Sequence, residues 1–213
     1  MAHPLPATSA RVLYNAEPLR LGVELPPPSP EDLPRTCFKL AALERVRAET
    51  SDYVRAVLDA AALRGEHRFV VVDVKVQEVE AGRFPCIPGW HCDSVLDPHH
   101  PSRPEVHHLF VSGAACLTEF VAEPVELEVG PAASPRAFLR ALARQVARLD
   151  PAVRAVPSCR LVEYGRLDLH RGARAREDER RLLVRVTETD VIEPRRAAPR
   201  PAPSPRRETA WTT

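Results

Sequence analysis

Five of the chain's eight histidines lie between residues 91 and 108, in PGWHCDSVLDPHH and the HH pair that follows. His91 and Asp93 stand two residues apart, so on extended backbone both side chains leave the same face. An imidazole and a carboxylate placed that way grip one metal ion when a third ligand joins them. His170, in GRLDLHRG near the C-terminal end, is the candidate third ligand. Two imidazoles and one carboxylate on one side of a metal leave the opposite positions open to other ligands. Cys92, between the pair, faces the other way and is expected in the core. His99 and His100 sit among prolines and read as surface loop. His107 and His108 open a strand, so one of them should face inward, as core or as a substrate contact. The same residues also allow a metal-free arrangement, with Asp93 capping a turn, His91 packed under Trp90, and Arg185 in a salt bridge with a strand carboxylate such as Glu126 or Glu128.

The elements that must position these groups can be read from periodicity. CFKLAALERVRAETSDYVRAVLDAAALRG carries Leu40, Leu43, Val46, Tyr53, Val54, Val57, Leu58 and Ala61 at three- and four-residue steps, with Gly65 where a helix would stop. HRFVVVDVKVQEVE alternates, with Val70, Val72, Val74 and Val76 on one face and Val71, Asp73, Lys75 and Gln77 on the other. Further strands are expected in HHLFVSG, CLTEFVA, PVELEV, CRLVEYGRLDLH and RLLVRVTET. SPRAFLRALARQVARLD predicts a second helix, capped by Ser134 with Pro135 at its first position. Short strands with the helices set apart predict a mainly β fold with flanking helices, a jelly-roll barrel with the helices packed outside.

In RRLLVRVTET, Arg181, Leu183, Arg185 and Thr187 share the face opposite Leu182, Val184 and Val186. That strand could carry a guanidinium into the barrel, where it would meet a carboxylate through a charge-assisted pair. Taken in order, His91-x-Asp93, then His170, then Arg185-x-Thr187 resembles the Fe(II)- and 2-oxoglutarate-dependent oxygenase superfamily over roughly residues 67 to 190. The resemblance implies a double-stranded β-helix with Fe(II) held by His91, Asp93 and His170, and no catalytic residue beyond that site. It also implies 2-oxoglutarate as co-substrate, its far carboxylate on Arg185 and Thr187, and oxidation of a small molecule or a side chain. Arg181 competes for the carboxylate role. Lys75, Gln77 and Tyr164 are candidate contacts to co-substrate or substrate. A cupin-like jelly roll that binds a metal or ligand without oxygenase chemistry is the alternative.

Composition bounds the rest. The chain has 213 residues and 30 Lys and Arg against 29 Asp and Glu, so its charge of +1 offers nothing to nucleic acid or to an anionic membrane. Lys39 and Lys75 are the only lysines among many arginines. Five cysteines without a repeated CxxC spacing read as reduced thiols, and no apolar run has the length of a leader or a membrane span, so a cytoplasmic protein is expected. Residues 1–35 form a Pro-rich segment that is ordered in part at most, with RVLYNAEPLRLGVEL able to add a strand. Residues 36–192 form one domain, and the Pro/Arg-rich residues 193–213 are expected to be a disordered tail. Oligomeric state is left open by the sequence.

Overall fold

The computed structural model describes residues 5–86, 88–93 and 95–203. Its strands form antiparallel sheets in a sandwich-like arrangement. The large sheet has seven strands. From one edge to the other these are β12 (Arg200–Pro201), β3 (Thr36–Ala42), β4 (Phe69–Val79), β11 (Glu179–Thr189), β5 (Val106–Val111), β9 (Arg160–Gly165) and β2 (Arg20–Glu24). A three-stranded sheet joins β10 (His170–Gly172), β6 (Thr118–Val121) and β8 (Val153–Ala155), and β1 (Ala10–Tyr14) pairs with β7 (Val125–Val129).

Alternation along each strand decides which side is filled by what. Val72, Val74 and Val76 of β4, Phe110 of β5 and Leu182, Val184 and Val186 of β11 are buried against two short helices, α1 (Leu43–Glu49) and α2 (Asp52–Ala60). On the opposite face Leu109, Val111, Val162 and Tyr164 meet Phe120 of the small sheet. A third helix, α3 (Pro135–Leu149), covers β1 and β7 with Phe138, Leu142 and Val146. Its predicted Ser134 cap accepts the Ala137 N–H. The large sheet is therefore apolar on its helix side apart from the buried His108–Glu188 pair. On the side that faces the small sheet it is mixed.

One predicted element divides. The helical periodicity from residue 37 onward resolves into strand β3, then α1 and α2. Phe38 and Ala41 are buried in the strand, and β3 pairs with β4 out to Ala42–Val71. Thr50 ends α1, and Ser51 starts α2 by accepting the Val54 N–H while donating to the Asp32 carbonyl. Sheet pairing thus overrides a pattern that local sequence reads as one helix.

The N-terminal segment supplies β1 and β2. Part of the Pro/Arg segment is also paired: Arg195 N–H donates to the Leu40 carbonyl, Ala202 N–H to the Arg35 carbonyl, and Arg200–Pro201 lies along β3. The tail expected to be disordered therefore runs along the sheet edge as far as the described residues reach, and residues 204–213 lie outside them. Among the described residues no helix is long and apolar enough to cross a membrane.

Candidate metal centre

A single backbone device assembles the triad. His91 and His170 form an antiparallel bridge, His91 N–H to the His170 carbonyl at 3.0 Å and the reverse at 2.9 Å, which sets their rings 4.5 Å apart. A hydrogen-bonded pair in such a ladder puts two side chains on the same face. Asp93, two residues on from His91, joins them. One donor atom from each of His91, Asp93 and His170 lies within 4.8 Å of the others. Cys92 turns to the opposite face and is buried with Trp90 and Leu169, as expected.

The hydrogen bonds fix which nitrogen of each ring is available. His91 Nδ1 faces the Gly89 carbonyl at 3.0 Å, and His170 Nδ1 faces the Asp168 carbonyl at 3.0 Å. A carbonyl only accepts, so in the neutral rings Nδ1 carries the proton and Nε2 keeps its lone pair. With the His170 ring neutral, its Nε2 and Asp93 Oδ2 face each other at 3.4 Å as two lone-pair atoms, a contact that a proton on that nitrogen or a metal cation between them relieves. Burial, and then the neighbouring His170, lower the His91 pKa to about 4, which keeps that ring neutral at neutral pH. Burial alone would raise Asp93. The Arg185 guanidinium and His170 instead hold its carboxyl well below the usual carboxylate range. The donor set is two imidazole nitrogens and one ionised carboxylate, and it suits a divalent transition metal.

The large sheet supplies the second layer. Tyr164 Oη donates to Asp93 Oδ2 at 2.7 Å, and its ring meets His170 edge-on at 5.1 Å and stacks on His107 at 4.8 Å. Tyr164 thus orients the carboxylate, and the structure gives it this role in place of the predicted contact to a co-substrate. Tyr164→Phe is expected to keep the fold and weaken metal affinity about 10- to 100-fold, the range for lost partners of metal ligands. Titration of a transition metal into the two forms checks this, and equal affinities would refute the orienting role.

The predicted co-substrate contacts divide in their use. Arg185 points to the site, but it is engaged there: NH1 meets Asp93 Oδ2 at 2.5 Å and NH2 meets Asp73 Oδ2 at 2.7 Å. The expected salt bridge with a strand carboxylate is thus present, made with Asp73 of β4, while Glu126 and Glu128 lie near Arg11. Thr187 is 2 % exposed and its hydroxyl is taken by His107 Nδ1 at 2.9 Å, so it is not free for a carboxylate. Gln77 donates to the Pro85 carbonyl at 2.6 Å and accepts from Arg181 Nε at 3.1 Å. Arg181 also donates to the Cys116 carbonyl at 2.6 Å. Gln77 and Arg181 therefore fasten the loop that leads to His91 and hold the β5–β6 connection. Lys75 is exposed, and among the described residues no carboxylate pairs with it.

Two residues on the same face gain definite roles: Asp73, which the sequence left unassigned, and His107, one of the pair expected to face inward. Asp73 is 2 % exposed in a valine-rich strand and anchors Arg185. His107 is fully buried, with Nε2 lacking a partner, and burial lowers its pKa to about 3. An aspartate and a histidine buried among valines are the signal by which both could have been found.

That burial has a consequence for stability. The unfolded chain takes up a proton on His107 below about pH 6.5, and the fold resists it down to about 3. Stability from this group is complete above pH 6.5 and falls as pH drops through that window. Glu188 adds to the loss at the acid end. Burial favours its neutral form, but the N–H groups of Arg64 and Gly65, with His108, hold it below its ordinary value. Urea midpoints measured across pH 7 to 3.5 are expected to fall steadily, and His107→Phe should flatten the slope. An unchanged slope in that variant would contradict the assignment.

The histidine-rich loop is mostly scaffold. His99 is exposed, His100 Nδ1 contacts Ser102 Oγ at 2.8 Å, and His108 faces Glu188 on the helix side of the sheet, away from the triad. Comparison of the chain with protein-family models, with curated proteins and with solved structures returns no match.

Proposed function

We propose that the chain is a non-haem Fe(II) oxygenase built on a jelly-roll, double-stranded β-helix framework, with 2-oxoglutarate as co-substrate and a small molecule or side chain as substrate. The observation that carries this reading is the convergence of His91, Asp93 and His170 on one face, with both Nε2 lone pairs available. Iron held there supplies oxidative chemistry with dioxygen, and the two-histidine, one-carboxylate set leaves positions open for it. The chain's own residues do the positioning. Tyr164 and Arg185 orient Asp93, and Phe120 and Tyr164 pack around His170. Lys75 is exposed on the face that carries Asp73 and Arg185, pairs with no carboxylate among the described residues, and fits a carboxylate of the co-substrate. Arg185 fits one only if it leaves Asp93 or Asp73, and Gln77, Arg181 and Thr187 are held by internal partners.

That internal engagement favours a second reading, a cupin-like protein that holds a metal or ligand without oxygenase turnover. Release of succinate from 2-oxoglutarate in air by iron-loaded protein separates the two. The oxygenase reading predicts succinate above the level given by His91→Ala, even without the prime substrate. Iron bound at full occupancy with no succinate would leave the second reading.

A further inference from the structure

We propose that Arg185 is a latch on the metal site. In the metal-free protein its guanidinium neutralises Asp93 in place of the cation, and metal loading releases it towards an incoming carboxylate, so that metal and anion bind cooperatively. The inference rests on the metal-centre reading above and goes beyond it by giving Arg185 and Asp73 a joint role in loading.

The crowding at one oxygen carries the proposal. Asp93 Oδ2 receives Tyr164 Oη at 2.7 Å and Arg185 NH1 at 2.5 Å, and it is also the oxygen that faces His170 Nε2 at 3.4 Å. A carboxylate oxygen has about two lone-pair sites; the Tyr164 hydrogen bond takes one, and Arg185 NH1, in an ion pair whose angle falls short of a hydrogen bond, crowds the same oxygen at 2.5 Å. A metal shared between that oxygen and His170 must therefore displace one donor. Tyr164 is 4 % exposed and locked between the rings of His107, Phe120 and His170. The Arg185 side chain is 22 % exposed, keeps a second carboxylate on NH2, and has an Nε with no partner. Arg185 is the donor that can yield.

Asp73 keeps the released guanidinium nearby. Its Oδ1 accepts the Leu40 N–H at 3.1 Å. Leu40 sits at φ 49°, a left-handed conformation costly for a residue with a side chain, where the β3–β4 pairing shifts register. The irregularity aims a backbone donor at Asp73 and fixes it. Two carboxylates and one guanidinium leave the cluster at −1 before loading, which favours a divalent cation. After loading it stands at +1, with a freed NH1 beside the unpartnered Nε. That arrangement suits a carboxylate. Since Asp93 and the anion compete for Arg185, anion and metal must each raise the other's affinity by one and the same factor.

The test is Co(II) titration of the metal-free full-length protein, followed by visible absorption, with succinate or with chloride at equal ionic strength. Wild type is expected to bind Co(II) at least about fivefold tighter with succinate, the lower end of ordinary coupling between sites. Arg185→Lys keeps the charge, but an ammonium cannot bridge two carboxylates as the fork does. It should bind Co(II) at least about fivefold tighter than wild type without succinate and lose the succinate effect. Asp73→Asn, which leaves Arg185 to Asp93 alone, should weaken Co(II) binding. Arg185→Lys at wild-type affinity, or a succinate effect that survives in it, would overturn the latch while leaving the metal centre intact. Absence of Co(II) binding in every form would overturn the metal centre itself, and the latch with it.

Discussion

Replacing His170 with alanine is expected to weaken transition-metal binding by more than about 100-fold, beyond what loss of an outer partner costs. His170 supplies one of three donors, and its backbone also sets the position of His91 through their reciprocal hydrogen bonds. The backbone bridge survives the substitution, so the loss should come from the ring. Thermal unfolding reports the separate cost of the space left against Phe120 and Tyr164. A metal titration of His170→Ala and His91→Ala beside wild type checks the claim. Similar affinities in all three forms would place the binding elsewhere.

The largest effect on stability is expected at a site away from the metal. Arg166 and Glu105 have side chains that are 3 % and 0 % exposed and stand 3.0 Å apart, close enough for an ion pair although the angles fall short of a hydrogen bond. Arg166 also donates to the Ser102 carbonyl at 2.9 Å and, at 3.4 Å, to the carbonyls of Asp97 and His100. One guanidinium therefore ties down the loop that follows Asp93. Arg166→Met leaves the buried Glu105 carboxyl without its cation and with the Thr189 hydroxyl at 3.4 Å, and loss of one partner costs about 3–5 kcal/mol in comparable buried pairs. Burial already raises the Glu105 pKa against the pull of Arg166, so the uncompensated carboxyl would take up a proton. Denaturant unfolding is the measurement. A loss below about 1 kcal/mol would mean that the pair and its loop contacts are incidental.

Much of the fold was legible because it depends on alternation. The strands β4 and β11 read correctly from their valines and leucines, and α3 from its cap and spacing. β3 did not, because CFKLAALERV satisfies a helical period as well as a strand, and only pairing with β4 decides between them. At the site, the grouping of His91, Asp93 and His170 was legible as a spacing and an order of residues. The partners of Arg185 were not, since Asp73 meets it across a strand pair 112 residues apart in sequence. Thr187 and Gln77 were read as ligand contacts because their strand face was right. Local hydrogen bonds to His107, Pro85 and Arg181 decide their use, and those bonds depend on packing between elements. Polar residues on an inward face can serve a ligand or each other, and the sequence pattern is the same for both.

A crystal structure of the protein grown anaerobically with Fe(II) tests the central claim most directly. The account predicts one ion per chain, bound by Nε2 of His91, Nε2 of His170 and an oxygen of Asp93 at about 2.0–2.2 Å. An ion bound by other residues, or an empty triad in protein shown to contain iron, would contradict it.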